Sequence, residues 1–178
     1  MDRLIQDRGL PDRGVAMSEA PPPEIAILVE AEGWHTVPEL EAVIRRAAMA
    51  ALATTDEPGD ISLLLADDAA IRTLNADFRK LDKPTNVLSF PAPHMPGDPS
   101  PALGDIAFAY ETCAREAADE EKPLAHHLSH LVVHGVLHLL GYDHEDDAEA
   151  DEMEALETEV LASLGIADPY ADHRDAAE

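Results

Sequence analysis

The run His134-Gly-Val-Leu-His138-Leu-Leu-Gly141-Tyr-Asp143-His144 sets three imidazoles at offsets 0, 4 and 10. On a helix, His134 and His138 project from one face, a turn apart. Gly141 is placed to end that helix, because the C′ position takes a left-handed backbone that glycine adopts cheaply. The chain can then turn back and bring His144 to the same point. Three neutral nitrogens with an open fourth position are the ligand set of a catalytic zinc rather than a structural one. A histidine pair at i and i+4 is often an ordinary helix pair. Here the third histidine follows a helix stop at the distance a return turn needs, and six of the nine histidines lie between His126 and His144. The spacing predicts a metal centre on His134, His138 and His144 with one zinc ion per chain, although copper and nickel also take three imidazoles.

The same helix carries a longer stripe. At 100° per residue, His127, His130, His134 and His138 fall within an arc of about 80°. Leu128, Leu131, Val132 and Leu139 occupy the other side, where a sheet would bury them. His130 is expected to line the approach and contact substrate. His127 is either part of that approach or an exposed helix residue, and His126 lies off the stripe. The spacing also matches the zinc-peptidase pattern H-E-x-x-H-x-x-G-x-x-H. That pattern places a glutamate after the first histidine as general base, and this chain has Gly135 there. Gly135 is expected to leave space beside the metal and to remove a negative charge, which suits a phosphate. The pattern is that of a zinc hydrolase; the missing base points away from a peptide.

These residues need a scaffold. Residues 24–30 (EIAILVE) read as a first strand, and Thr36-Val-Pro-Glu39 as a capping box opening a helix with Leu40, Val43, Ile44, Ala47 and Ala51 buried. Ile61 to Ala66 is a second strand. Asp67 or Asp68 then caps a short helix with Ile71, Leu74 and Phe78 facing inward. Asn86 to Phe90 reads as a strand, residues 91–103 as a loop with five prolines, and Gly104 to Tyr110 as another strand. A helix follows from about Glu111, and the histidine helix runs from near Pro123 to Leu140. A last helix buries Met153, Leu156, Val160, Leu161 and Leu164 and stops at Gly165. The class is α/β (α+β): a small mixed sheet of about four strands packed with helices, the metal site on a central histidine-bearing helix. A flexible tail is expected over 1–23, a single domain over 24–170, and a short tail over 171–178. Met17 offers a second start.

At 178 residues the chain is long enough for one proper core. Its single cysteine, Cys113, excludes an internal disulfide and a thiolate metal site, and fits a reducing cytoplasm. No segment approaches the ~20 apolar residues of a membrane span, and Asp2, Arg3, Asp7 and Arg8 interrupt any signal-peptide core. A net charge of −25 excludes a nucleic-acid binder held by a broad basic surface. The charge is uneven: residues 145–178 carry thirteen acids against Arg174 alone, read as a solvated helix face. Arg72, Arg79, Lys80 and Lys83 place four of the twelve basic residues in one window able to receive an anion.

The histidine run resembles the signature of the YbeY family of bacterial endoribonucleases, also called rRNA maturation factors. Leu74-Asn75, Phe78-Arg79, Lys83-Pro-Thr-Asn-Val-Leu-Ser-Phe-Pro91, Leu103-Gly-Asp-Ile106, the His127-to-His130 approach and the closing Leu164-Gly165 and Pro169-Tyr170 are similar to further blocks of that family. The likeness spans roughly residues 24–170. It implies a single-strand-specific, metal-dependent endoribonuclease of the cytoplasm that acts on ribosomal RNA, in maturation of the small-subunit 3′ end and in ribosome quality control. It also implies zinc ligation by His134, His138 and His144, a catalytic role for Arg79 beside His134, and the small ribosomal subunit or its proteins as partners. Independently, a fixed guanidinium near the site would grip a phosphate through two donors; the bland reading of Arg79 is a surface ion pair with Asp77 or Asp82. Asn86 and Ser89 are read either as hydrogen-bonding to substrate or, the favoured reading, as turn and strand residues, and Asp105 or Asp143 as supports for a ligand histidine. Two other readings are a zinc-stapled, non-enzymatic ribosome assembly factor, and a metallopeptidase-like hydrolase with its base supplied elsewhere.

Overall fold

A computed structural model describes residues 22–93 and 102–171. Most of the predicted N-terminal tail, residues 94–101 of the predicted loop and 172–178 of the predicted C-terminal tail lie outside the described residues. Four aliphatic runs form strands: β1 (Ile25–Val29), β2 (Asp60–Ala66), β3 (Val87–Pro91) and β4 (Ala102–Ala109). The sheet order is β1-β2-β4-β3, with β2 parallel to β1 and β4, and β3 antiparallel to β4. Parallel neighbours require a crossover. Helix α1 (Leu40–Leu52) supplies it between β1 and β2, and α2 (Asp68–Arg79) with β3 supplies it between β2 and β4. Three helices close the chain: α3 (Tyr110–Asp119), α4 (Leu124–Leu139) and α5 (Asp147–Ser163). The expected mixed α/β fold with a four-stranded sheet is the one that forms.

Alternation along the strands gives the sheet two apolar faces. On one, Ile61, Leu63, Leu65, Ile106 and Phe108 bury against a core that includes Val132, Val133 and Val136 of α4. Helix α4 also contacts α1, α3 and α5, so the histidine helix is central. On the other face, Leu88, Ala107 and Ala109 cluster with Ile71 of α2. Asp67 caps α2 by accepting from the Ala70 amide at 2.9 Å, and Asp146 caps α5 by accepting from Glu149 at 2.8 Å.

Two local expectations fail. Thr36 does not cap a helix: its hydroxyl donates to the Gly33 carbonyl at 2.8 Å. It ends a 3-10 turn (Glu32–Thr36) whose Trp34 is fully buried and donates to the Ala66 carbonyl at 2.9 Å. That turn uses up the residues of the apparent box, so α1 starts later, after Glu39 in a left-handed conformation (φ 51°). Phe78 does not face inward and is 68 % exposed. The last turn of α2 borders an open apolar groove also lined by Leu28, Leu64 and Phe90, and the Phe78 ring rests edge-on against Phe90.

The end of α4 follows from Gly141. The Gly141 amide donates to His138 and the Tyr142 amide to Leu137, both at 3.0 Å, which is a Schellman closure with Gly141 at φ 104°. Open space surrounds the position where a Cβ would sit. The cost of a side chain there is therefore backbone strain, about 1–2 kcal/mol. Gly141→Ala should lower the melting temperature by roughly 2–8 °C, read by thermal denaturation; an unchanged value would mean that the turn does not need glycine.

Candidate metal centre

The helix and its turn bring His134, His138 and His144 together, with one ligand nitrogen from each lying within 4.8 Å of the others. The hydrogen bonds decide which nitrogen each helix histidine offers. His138 donates Nδ1–H to the Tyr142 carbonyl at 3.0 Å, so the residue after the helix stop also orients the ring. His134 donates Nδ1–H to Glu157 Oε1 at 2.9 Å. With Nδ1 so engaged, each ring turns its Nε2 inward, and these two atoms stand 3.1 Å apart. Two facing lone pairs repel unless a cation lies between them. Tetrahedral ligation with bonds of about 2.0–2.1 Å puts such nitrogens roughly 3.3 Å apart, so the donor set fits a metal. Burial, followed by the charges of His134 and His144, pushes the His138 imidazole below its ordinary pKa, towards the neutral form that ligates. Asp143 accepts from the His144 amide at 2.7 Å and its oxygen is 3.8 Å from the His144 ring nitrogen, so it shapes the turn rather than orienting the ring. Asp105 lines the groove on the opposite sheet face.

The support that sequence reasoning missed is Glu157 on α5, only 1 % exposed. Besides His134, its carboxylate accepts from His130 Nε2 at 2.6 Å and from the Tyr170 hydroxyl at 2.8 Å. Burial alone would raise this carboxyl, but the hydrogen bonds and charges of the two histidines outweigh it and hold it down at about 2. Glu157, His130 and His134 also form a second compact group of ligand-type atoms, but their close contacts are donor–acceptor pairs. The signal was present: Glu157 lies four residues from Met153 and from Leu161, on the buried stripe of α5. His130, expected to line the approach, gives its Nε2 to Glu157, and its Nδ1 is buried without a partner. His127 is buried and pairs with Glu116 at 2.8 Å.

Beside the three histidines a cavity of about 440 Å³ opens, bordered by Arg79, Asn86, Ser89 and Tyr142. Among the described residues Arg79 makes no ion pair: Asp82 is taken by Arg72 at 2.7 Å, and Arg79 donates through Nη2 to the Ser89 carbonyl at 3.0 Å. Its guanidinium lies 6.0 Å from the Phe90 ring centre, leaving other N–H groups for the cavity. Gly135 does not open space beside the metal. A Cβ there would come within 2.9 Å of Ile106 Cγ2 and 3.3 Å of Ser89 Oγ, because one step along α4 turns the position from the metal to the sheet. The peptidase base is therefore sterically closed off as well as missing.

A family model described as Endoribonuclease YbeY matches residues 29–165. The chain belongs to the YbeY family. Relatives named Endoribonuclease YbeY include one from Bradyrhizobium sp. strain BTAi1, 57 % identical over 164 residues that cover 88 % of this chain and 97 % of that protein. Another, from Nitrobacter winogradskyi, is 59 % identical over 157 residues, covering 84 % and 83 %. The solution structure of TM1509 from Thermotoga maritima aligns with a TM-score of 0.57 and 27 % identity, over 85 % of this chain and 93 % of that one. The YbeY match contains α2, β3, α4, the His144 turn and α5, hence every cavity residue named above and Glu157; Tyr170 lies beyond it.

A carboxylate behind a ligand histidine fixes its tautomer and raises its basicity, and its loss typically costs 10–100-fold in metal affinity. Glu157→Gln, which keeps the shape and removes the charge, should weaken zinc binding by about that factor in a chelator competition. Equal affinity would show that Glu157 serves packing alone.

Proposed function

We propose that this YbeY-family chain is a metal-dependent endoribonuclease, a hydrolase that cuts phosphodiester bonds within single-stranded RNA, with one zinc ion on His134, His138 and His144. The observation that carries the reading is the pair of inward Nε2 atoms on His134 and His138, opening onto a cavity with an arginine that no carboxylate among the described residues pairs with. The relatives' name, Endoribonuclease YbeY, supports the RNA substrate. When bound, zinc would supply Lewis acidity toward a phosphoryl oxygen and a lowered pKa for water.

The chain's own groups do the rest. Arg79, braced by the Ser89 carbonyl, keeps donors directed at a phosphate and stabilises the charge that grows there. His134 and His138 hold fixed tautomers, and Tyr142 holds His138 in place. His130 acts at one remove: it shares Glu157 with His134 and keeps that carboxylate ionised. A single working domain over 24–170 fits this division, since Tyr170 closes the Glu157 cluster. Ribosomal RNA is the substrate in this reading, at the small-subunit 3′ end and in ribosome quality control. The net charge of −25 suits docking on basic proteins of the small subunit in the cytoplasm. Among the described residues no helix is long and apolar enough to cross a membrane.

Purified protein should carry about one zinc per chain and cut a labelled single-stranded RNA, and His138→Ala should lose both while keeping its circular dichroism. Zinc without cleavage under every metal tried would favour the assembly-factor reading. Arg79→Ala should keep its zinc and lose about 10²–10³-fold in rate. Arg79→Lys should restore little, because a point charge cannot brace on Ser89 and span a phosphate at once. Full activity of Arg79→Ala would remove the arginine from the chemistry.

A further inference from the structure

Asn86 borders the cavity with its side-chain orientation set by a carboxylate. An ionised glutamate only accepts, so the Asn86 group bonded to Glu116 Oε1 at 3.0 Å is its Nδ2 amide. The same Glu116 oxygen accepts from His127 Nε2 at 2.8 Å, which pins the carboxylate from a second helix. The Asn86 backbone is tied down too, its carbonyl accepting from the Ala109 amide at 3.0 Å. The carboxamide therefore cannot flip, and its Oδ1 points away from Glu116. Among the described residues no donor reaches Oδ1. Nor is Oδ1 among the buried atoms left without a partner, so it is accessible, on a residue that borders the cavity.

A fixed carbonyl oxygen repels a phosphate and requires a donor. We infer that Asn86 Oδ1 accepts from the ribose 2′-hydroxyl next to the bound phosphate, which makes Asn86 the residue that tells RNA from DNA, with Glu116 and His127 as its positioning residues. The inference rests on the nuclease reading above. If Arg79 and the metal histidines hold a phosphate in this cavity, the 2′-hydroxyl comes with it. It sits on the carbon adjacent to the one bearing the bridging 3′-oxygen. A base amine lies across the sugar, several bonds further away. The 2′-hydroxyl is also the group by which a protein distinguishes the two nucleic acids at a given position.

The test uses the zinc-loaded full chain cutting a labelled RNA, with unlabelled uridine strands as competitors. A 2′-amino strand donates at the sugar and a 2′-fluoro strand cannot. Both lack a 2′-oxygen, and uridine lacks an exocyclic amine. In wild type the 2′-amino strand should inhibit about three- to tenfold more tightly than in Asn86→Ala, relative to the 2′-fluoro strand, one hydrogen bond's worth. The ratio between proteins cancels differences in sugar pucker. Glu116→Gln, which keeps the shape but lets the carboxamide turn, should also lower that ratio while zinc content and melting temperature stay level. An unchanged amino-to-fluoro ratio in both variants overturns the inference and leaves the nuclease reading intact. So does a loss in Asn86→Ala that appears only between cytidine and uridine strands, since that would assign Oδ1 to a base amine. Wild type that never cuts RNA overturns both.

Discussion

The Glu157 carboxylate is ionised inside the protein because two histidines and a tyrosine all direct donors at it. Taking a carboxylate out of water costs several kcal/mol, and the site tolerates it only through those partners. They come from two successive turns of α4 and from the segment after α5. One group therefore docks α5 on α4, fixes the tautomer of a candidate metal ligand, and draws in the chain as far as Tyr170. Removing a partner from a buried charge of this kind typically costs about 3–5 kcal/mol. Packing and ligation here are the same interaction.

The surroundings of α4 explain how a peptidase-like spacing sits in a site built for another substrate. The helix contacts the sheet and three other helices, so few of its positions face open space. His134 and His138 do; Gly135, one step on, lies against Ile106 and Ser89, where the sheet comes too close for a side chain. The glycine serves helix–sheet contact, and the absent acid at the candidate metal site follows from it. The negative charge of the chain does not contradict an anionic substrate either. Exposed acids more than about 8–10 Å away are screened at physiological salt. Within the cavity the relevant facts are an arginine that has no carboxylate partner among the described residues and imidazoles whose Nε2 atoms face inward.

Much of this was legible in the sequence, for physical reasons that differ by element. Strand positions followed from short aliphatic runs between turn residues, and the mixed four-stranded sheet from their order along the chain. The Gly141 stop was readable because few residues tolerate φ 104°. Reading failed where tertiary contact overrode a local signal. Thr36 to Glu39 has the composition of a capping box, but burial of Trp34 takes the segment into a 3-10 turn. Phe78 continues an apolar stripe past the point where α2 meets the sheet. Glu157 was hidden by its company: as one of thirteen acids in its segment it reads as solvated surface unless its place on the Met153–Leu161 stripe is noticed. The role of Gly135 was misread because spacing along a helix tells which residues share a face, not what that face meets.

Four of the cavity groups share one organising rule. Each is held by a residue outside its own element: His138 by the Tyr142 carbonyl after the helix stop, His134 by Glu157 of α5, Arg79 of α2 by the Ser89 carbonyl of β3, and Asn86 by Glu116 of α3. Donors and acceptors fixed before a charged group arrives spend little free energy on reorganisation when it does, which is where such sites gain most of their effect. The supports also enter from different sides of α4, so the cavity keeps its shape only while α2, α3 and α5 are all docked. The spacing of the histidine run can set where a metal would sit, but the helices around it decide what that metal would meet.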